Sequence, residues 1–262
     1  MSAAASATRF TLTRPAVADA YAGDCASSPS AGALWGACLT AVGAPQTCAD
    51  TTPSLTPADA ATLGATAAVQ QLSGWATGPE LVISGINRGG NDGLNVNVSG
   101  TLGAATIASS VGYPSIAMST SSSGDAAANA RAAAAWGVGF VAKLRRASLL
   151  PTGYVLAVNY PRVDRGAITT AEWTSVAQVS PFATVFVLDG ASSFQSTFGA
   201  CAPGPSCGTP AAGTDSAAYS GGRIAITPIS VDRTVGLRPT FRSIIDALKV
   251  GLLVQIGLFS PG

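Results

Sequence analysis

Short apolar runs alternate with turns rich in glycine and asparagine through the middle of the chain. The run Leu81–Ile83 is long enough for one buried strand, which we expect to end at Ser84–Gly85. Small, mostly apolar residues over Thr101–Ser110 predict a helix, and Pro114–Ser119 predicts a second strand. Strand, glycine-rich loop, helix and strand make one βαβ unit, and such units bind ligands beyond the carboxyl ends of their strands.

The same pattern predicts further elements on both sides of this unit. Thr56 is a suitable N-cap, Pro57 fits the first helical position and Asp59 suits the helix dipole, so a helix is expected from there to about Leu72. The basic end of an alanine-rich segment suits a helix C-terminus. The remaining predicted elements are a helix over Asp125–Arg146, strands over Tyr154–Val158, Ile168–Thr174 and Phe182–Leu188, and a closing helix over Pro239–Leu248.

Two segments lack a regular pattern and predict loop insertions, residues 16–55 and 191–214. The first is rich in Ala, Gly, Ser and Pro, with a short helix expected near Trp35. Near the end of the chain Val250–Phe259 is apolar but too short to span a bilayer, so it predicts a buried helix or strand. Residues 1–262 are therefore expected to form a single domain.

The amino-acid composition limits the kinds of catalytic and metal sites that the chain can form. With 47% apolar and 10% charged residues the chain suits a well-buried domain, and a net charge of +1 gives no reason to expect a nucleic-acid polymer or a membrane as partner. The absence of histidine excludes a Ser-His-Asp triad and a His-ligated zinc site. Carboxylate, Asn, Ser and Thr oxygens remain, and they favour a hard divalent metal.

The five cysteines fall in the two irregular segments, without C-x-x-C spacing. We expect disulfides, including a short loop closed by Cys201–Cys207, and therefore a secreted or periplasmic protein, although no signal peptide is visible at Met1. Five free thiols are the alternative.

The glycine-rich stretch between Gly85 and Thr101 has the residue types of an anion-binding loop. It holds five glycines and four asparagines, and glycine lets backbone N–H groups approach a ligand closely. Ser99–Thr101 lies at the expected helix N-terminus, where free N–H groups attract phosphate, and Asn oxygens suit a cation such as Mg²⁺. The alternative is a long Asn/Gly connection without a ligand.

Three blocks of this region resemble the SurE family of 5′/3′-nucleotidases and acid phosphatases. They are Ile83–Gly93 (ISGINRGGNDG), Ser99–Ala105 (SGTLGAA) and Gly112–Ser119 (GYPSIAMS). Further boxes follow at Leu150–Pro161 and Asp215–Asp232, so the resemblance covers about Thr56–Leu248. A third possibility, a dinucleotide-binding oxidoreductase, fails because no G-x-G-x-x-G follows a strand.

The resemblance implies a three-layer, Rossmann-like α/β fold with a mostly parallel sheet and a smaller β-rich C-terminal extension. It also implies a metal-dependent phosphomonoesterase that uses Mg²⁺ or Mn²⁺ and acts on nucleoside monophosphates or other phosphate esters. Asn87 matches the metal-binding Asn. The phosphate-contacting positions match Asn91, Ser99, Gly100 and Thr101. By analogy with the family, the protein forms a homodimer or homotetramer.

The N-terminus departs from the family pattern. Residues 1–6 are weakly similar to the family's serine loop, and in this alignment Ser2 matches the metal-binding Ser. Phe10–Leu12 would then be the strand that follows the loop. The alternative is that these residues are a frayed N-terminus without a ligand. No Asp-Asp pair occurs anywhere, so the family's catalytic aspartates have no counterpart here. We therefore expect the first β-α-β unit to be missing and this chain to be nearly inactive, with its complete form a phosphatase. The alternative is a remnant that binds phosphate ligands without turnover.

Overall fold

Helices alternate with strands through the central part of the chain, as the apolar pattern predicts. The structure is a computed structural model that describes residues 8–13, 36–41, 55–72, 75–166, 168, 170–179, 182–200 and 206–232. In chain order the elements are β1 (Thr8–Thr13), β2 (Gly36–Ala41), α1 (Pro57–Leu63), a π-helical turn (Gly64–Ala68), α2 (Val69–Leu72), β3 (Val82–Arg88), a 3₁₀ turn (Gly93–Asn97), α3 (Gly100–Ser110), β4 (Ser115–Thr120), α4 (Ala126–Arg146), β5 (Tyr154–Tyr160), a second 3₁₀ turn (Val163–Arg165), β6 (Ala171–Trp173), β7 (Phe182–Leu188), β8 (Phe194–Ala200), α5 (Asp215–Ser220) and β9 (Ile224–Ser230).

Five strands form the central sheet, in the order β3-β4-β5-β9-β6. The first three run parallel, with Val82 opposite Ser115 and Ser115 opposite Val155. Strand β9 runs antiparallel to β5, and β6 runs parallel to β9. The carboxyl ends of β3, β4 and β5 therefore meet at one edge, where open α/β sheets bind their ligands.

Helices cover both faces of this sheet. Ile116 and Met118 of β4 belong to the core cluster that contains Leu144 of α4. Ala117, between them, packs in a second cluster with Leu102 of α3. Because successive side chains of a strand point to opposite faces, α4 and α3 lie on opposite sides of the sheet. The predicted three-layer α/β fold with a mostly parallel sheet is confirmed.

The predicted starts of two helices are confirmed. The hydroxyl oxygen of Thr56 accepts the backbone N–H of Asp59 at 3.2 Å, with Pro57 at the first helical position. At the start of α4, Asp125 Oδ1 accepts the N–H of Ala128 at 2.9 Å. In each case the side chain satisfies an N–H group that has no partner within the helix.

The expected end of the first central strand at Ser84–Gly85 is wrong, since β3 continues to Arg88. The register against β4 shifts between Ser84 and Asn87. Gly85 has a φ of +121°, and a Cβ there would lie 2.2 Å from the carbonyl oxygen of Met118. Gly85 therefore permits a close approach of the β3 and β4 backbones. A glycine after a short apolar run is also typical of a turn, which is why the sequence predicts that the strand ends here.

Both expected loop insertions contain strands, so the predictions of irregular structure at 36–41 and 194–200 are wrong. β2 pairs with β1 in an antiparallel hairpin, and the Thr11 and Thr40 hydroxyls lie 2.7 Å apart across it. β8 pairs likewise with the predicted strand β7. Neither strand has a regular alternation of large apolar and polar residues, and strand formation depends on cross-strand partners more than on intrinsic propensity. The expected helix near Trp35 lies outside the described residues.

Two other strands differ from prediction in length. β5 extends two residues beyond Val158, to Tyr160. The expected strand Ile168–Thr174 shortens to Ala171–Trp173. The strand expected at Phe10–Leu12 is confirmed as part of β1.

The chain divides into two compact units, residues 1–231 and 232–262. Only Asp232 of the second unit is described, so the helix expected at Pro239–Leu248 and the apolar segment Val250–Phe259 lie outside the described residues. Within the described part, none of the helices has the length and apolar character needed to cross a membrane. The single-domain organisation stays a prediction.

Cys38 and Cys207 are each disulfide-bonded. The other three cysteines, including Cys201, lie outside the described residues, so the Cys201–Cys207 pairing stays a prediction.

Candidate functional site

Asn91 fastens the glycine-rich stretch to the carboxyl edge of the sheet. Its backbone N–H donates to Oδ1 of Asn159, at the end of β5, at 2.8 Å. Asn159 Nδ2 returns a bond to the Asn91 carbonyl at 3.2 Å. Asn91 Nδ2 also donates to Oγ of Ser119, in β4, at 2.9 Å. One amide hydrogen of Asn91 Nδ2 is left for a ligand.

A second tether lies two residues further on. Asp215 is buried, and its Oδ2 accepts the backbone N–H of Gly93 at 3.0 Å. Its Oδ1 accepts the N–H groups of Ala177 and Ser216, each at 2.8 Å. Burial raises the pKa of Asp215 above its ordinary value, and the three hydrogen bonds act in the opposite direction. The carboxylate thus joins three separate segments of chain.

The N-terminus of α3 follows this tethered loop. Ser99 Oγ caps the helix by accepting the N–H of Leu102 at 3.1 Å. The N–H groups of Gly100 and Thr101, in the first turn, have no partner within the helix. A Cβ on Gly100 would lie 2.9 Å from Cγ of Pro57, so glycine is needed where α1 approaches α3. Exposed N–H groups and the helix dipole make this terminus suitable for an anion.

Asn87 lies near the carboxyl end of β3. Its Nδ2 donates to the carbonyl of Gly89 at 2.8 Å, which leaves Oδ1 as an acceptor facing away from that bond. An amide oxygen suits a hard cation, but no group of three or more His, Cys, Asp or Glu residues gathers around such a position within the described ranges. Ser2 lies outside the described residues. Among the described residues, Asn87 Oδ1 is therefore a neutral candidate ligand without a cluster of carboxylates beside it.

A cavity of about 400 Å³ opens beside the glycine-rich stretch. Ser121 follows β4 and Pro161 follows β5, so the cavity lies at the same carboxyl edge of the sheet. Most of the residues that line it have polar or charged side chains: Gly90, Asp92, Asn95, Ser121, Ser122, Ser123, Pro161, Arg162, Arg165, Pro210, Ser216, Tyr219, Ser220 and Gly222. The five residues predicted as metal or phosphate contacts (Asn87, Asn91, Ser99, Gly100 and Thr101) lie next to this lining in sequence but are not part of it.

Asn129 of α4 holds two walls of the cavity together. Its buried side chain donates from Nδ2 to the carbonyls of Ser121 and Ser123, at 3.1 and 2.9 Å. Its Oδ1 accepts the backbone N–H of Val163 at 2.9 Å. Both N–H groups and one lone pair of this amide thus position the serine turn and the segment that carries the arginines.

Tyr219 of α5 forms another part of the lining and is hydrogen-bonded to Ser121. A Cβ on Gly90 would lie 2.7 Å from both Tyr219 Cε1 and Asp92 Oδ1, so the ring and the carboxylate crowd the glycine from two sides. Burial raises the pKa of Tyr219 to about 12, and the charge of Asp92 acts in the same direction. Tyr219 therefore stays neutral at physiological pH.

The two arginines of the cavity differ in their partners. Arg162 forms an ion pair and hydrogen bonds with Asp164, and this bonding raises the pKa of Arg162 and lowers that of Asp164. Arg165 forms no hydrogen bond or ion pair with any described residue, although its charge acts on Asp164 from a distance. Arg165 is exposed at the rim.

Several residues that shape this edge were not predicted as site residues: Asn129, Asn159, Arg165, Asp215 and Tyr219. A signal existed for some of them. Asn129 and Asn159 are polar residues within apolar segments, and buried polar groups need partners. Ser216, Tyr219 and Ser220 recur at the spacing of one helix face. The partner of Asp215 lies 122 residues away, so no local pattern indicates it.

The chain is similar to known proteins over much of its length. The family model described as Survival protein SurE matches residues 6–181, a range that begins after Ser2. The 5′-nucleotidase SurE of Geobacter sulfurreducens is 34% identical over 172 residues, which are 61% of this chain and 59% of that protein. The 5′-nucleotidase SurE 1 of Thermus thermophilus is 33% identical over 163 residues, 60% of this chain and 59% of that protein.

A solved structure agrees with these sequences. The crystal structure of the SurE protein from Aquifex aeolicus superposes with a TM-score of 0.55 and 26% identity, covering 76% of this chain and 75% of that one. The chain spans about three fifths of the length of the curated relatives named above. Because the family model covers more than half of the residues, the chain belongs to the Survival protein SurE family.

Proposed function

We propose that the protein is a phosphomonoesterase of the 5′-nucleotidase type, acting on nucleoside monophosphates or other phosphate esters. The observation that carries the proposal is the exposed N-terminus of α3, held next to a tethered glycine loop at the carboxyl edge of the sheet. Relatives named 5′-nucleotidase SurE support it, although the chain covers only 59% of the two compared above.

The phosphoryl group is bound at the start of α3. The N–H groups of Gly100 and Thr101 donate to its oxygens, and the hydroxyls of Ser99 and Thr101 have a hydrogen to donate as well. The free amide hydrogen of Asn91 Nδ2 completes the set, since its other hydrogen is held by Ser119. Donors fixed before the substrate arrives need no reorganisation as charge develops on the phosphoryl oxygens.

The reaction transfers the phosphoryl group to water. The oxygen of water bonds to phosphorus, the bond from phosphorus to the ester oxygen breaks, and the leaving alkoxide takes the proton that the water gives up. The products are an alcohol and inorganic phosphate. No described residue is assigned as the catalytic base.

The family resemblance adds a divalent cation, Mg²⁺ or Mn²⁺, which when bound would polarise a phosphoryl oxygen. Asn87 Oδ1 and Ser2 are the proposed ligands from this chain. Carboxylates drive affinity for Mg²⁺, and the described residues supply no cluster of them, so no step of the reaction is derived through the metal.

Secretion and self-association belong to the same proposal. The disulfide-bonded Cys38 and Cys207 favour an oxidising compartment such as the periplasm or the exterior. Mapping of disulfide-linked peptides tests this, and five alkylatable thiols in the native protein would contradict it. A homodimer or homotetramer is proposed by analogy with the family and is tested by the mass of the protein in solution.

The enzyme assay measures phosphate release from AMP and p-nitrophenyl phosphate with Mg²⁺ or Mn²⁺. Thr101→Ala should lower turnover about tenfold, the loss expected for one charged hydrogen bond. Thr106→Ala is the matched control, because it makes the same change one to two turns further along α3 and should leave turnover unaltered.

The wild-type result decides between two forms of the proposal. Phosphate release that Thr101→Ala impairs supports the enzyme. Inhibitor-like binding of inorganic phosphate without release supports the alternative, a phosphate-binding protein without turnover. Neither release nor binding would contradict both.

A further inference from the structure

Five serines from two parts of the fold line the cavity. Ser121, Ser122 and Ser123 lie on the turn after β4, and Ser216 and Ser220 lie on α5. These two walls are held by buried polar side chains, Asn129 behind the serine turn and Asp215 at the start of α5. Ser121 Oγ already bonds Tyr219 and the N–H of Ser123, and Ser220 Oγ donates to the carbonyl of Ser216. The hydroxyls of Ser122, Ser123 and Ser216 therefore suit a ligand that carries several hydroxyl groups of its own.

Charge is unevenly distributed around this surface. Asp92 of the glycine-rich stretch contributes one negative charge to the lining, and Arg162 and Arg165, which follow β5, contribute two positive charges. The charge of Arg162 is opposed by Asp164. Arg165 makes no ion pair within the described part of the chain, so it is the cation that remains to meet a ligand.

A second hollow, of about 420 Å³, continues from this side. Arg162 and Arg165 line both spaces, and the second extends along Gly222 to Arg223. Arg223 Nε lies 2.8 Å from Glu172 Oε1, so its charge is opposed as well. An anionic group that extends from the cavity toward Arg165 thus finds open space and a guanidinium group that forms no ion pair with any described residue.

We propose that this cavity binds the alcohol part of the phosphate ester and prefers a hydroxyl-rich alcohol that carries a second anionic group, with that group against Arg165. The proposal rests on the phosphomonoesterase function above. It names the substrate class as the phosphate esters of sugar acids and similar anionic polyols. The phosphoryl group lies at the glycine-rich stretch, and the second anion lies at Arg165, which lines the cavity.

The test compares two open-chain probes, 6-phosphogluconate and sorbitol 6-phosphate, which differ by a carboxylate in place of a hydroxymethyl group. Dissociation constants are measured by calorimetry at low ionic strength. The wild type should bind 6-phosphogluconate about tenfold more tightly, the gain expected for one charged hydrogen bond. This preference should shrink at high salt, which screens exposed charges.

Three variants locate the preference. Arg165→Gln should abolish it, and Arg165→Glu should reverse it. Arg146→Gln removes the same charge at the exposed end of α4, outside the cavity, and should keep the preference. Arg165 is exposed, so its variants should keep the melting temperature of the wild type.

The outcomes separate this inference from the proposed function. Equal affinity for the two probes, or a preference that survives Arg165→Gln, would overturn the inference, and so would AMP hydrolysis without binding of either polyol. A preference that depends on Arg165 without any phosphate release from AMP would uphold the inference while the proposed enzyme function fails.

Discussion

The backbone N–H of Gly93 donates to the carboxylate of Asp215, 122 residues further along the chain, at 3.0 Å. This bond joins the glycine-rich stretch to the segment before β9, two regions that share no secondary structure. The same carboxylate also accepts the N–H groups of Ala177 and Ser216. The position of the proposed phosphate site therefore depends on one buried side chain outside it.

Asp215→Asn should destabilise the protein. The side chain keeps its size, but an NH₂ group replaces one acceptor, so a buried N–H loses its partner at a cost of about 1–3 kcal/mol in the free energy of unfolding. Urea unfolding measures this. Asp59→Asn makes the same change at an exposed helix start and should cost less than about 1 kcal/mol. Equal losses in the two variants would show that the three-segment contact is unimportant.

Tyr219 should be detectable by its titration. Its pKa of about 12 predicts a late phase of tyrosinate absorbance, which Tyr219→Phe should remove. Burial also raises the pKa of Tyr160, so Tyr160→Phe serves as the comparison and should leave the phase near pH 12 in place.

The raised pKa of Tyr219 also makes the free energy of unfolding depend on pH. Because the folded-state pKa is raised above the ordinary value of 10, its stabilising contribution is complete below pH 10 and is lost as pH rises through 12. The loss should be about 2–3 kcal/mol, and it should be missing from Tyr219→Phe. If the wild type and the variant lost stability in parallel above pH 10, the assignment would be wrong.

Two glycines should respond in opposite ways to alanine. Gly85→Ala forces a Cβ to 2.2 Å from the Met118 carbonyl at a φ of +121°, and should cost about 2–6 kcal/mol of folding free energy. Gly103→Ala lies in α3 with open space around it and should stabilise by about 0.5–1 kcal/mol. Thermal unfolding of both variants checks the prediction, which a stable Gly85→Ala protein would refute.

Asn87→Ala should weaken metal binding, because it removes the amide oxygen proposed as a cation ligand. Free Mn²⁺ is measured by electron paramagnetic resonance during a titration. We expect the affinity to fall severalfold in Asn87→Ala and to stay unaltered in Asn97→Ala, a change in the same stretch at an exposed residue. Identical titrations for all three proteins would remove Asn87 from the proposed site.

The sequence predicts the elements whose signals are local. Thr56, Pro57 and Asp125 mark helix starts through capping that depends on the next three residues, and these starts are confirmed. β4 is an unbroken run of buried residues bounded by a proline and a serine turn. Its first and last residues therefore differ from the prediction by only one position.

Structural features that depend on residues distant in the chain could not be predicted from the sequence. β2 and β8 lack a strong apolar pattern and form strands because a neighbouring strand completes their hydrogen bonds. Similarly, Asn129 is one polar residue in an alanine-rich helix, and only the fold shows that it joins the serine turn to Val163.

The most direct test of the central claim is a titration of the protein with inorganic phosphate, followed by the amide resonances of the α3 N-terminus. We expect saturable shifts at Gly100 and Thr101 that weaken in Thr101→Ala and persist in Thr106→Ala. Amides at Gly100 and Thr101 that stay unmoved at saturating phosphate would contradict it.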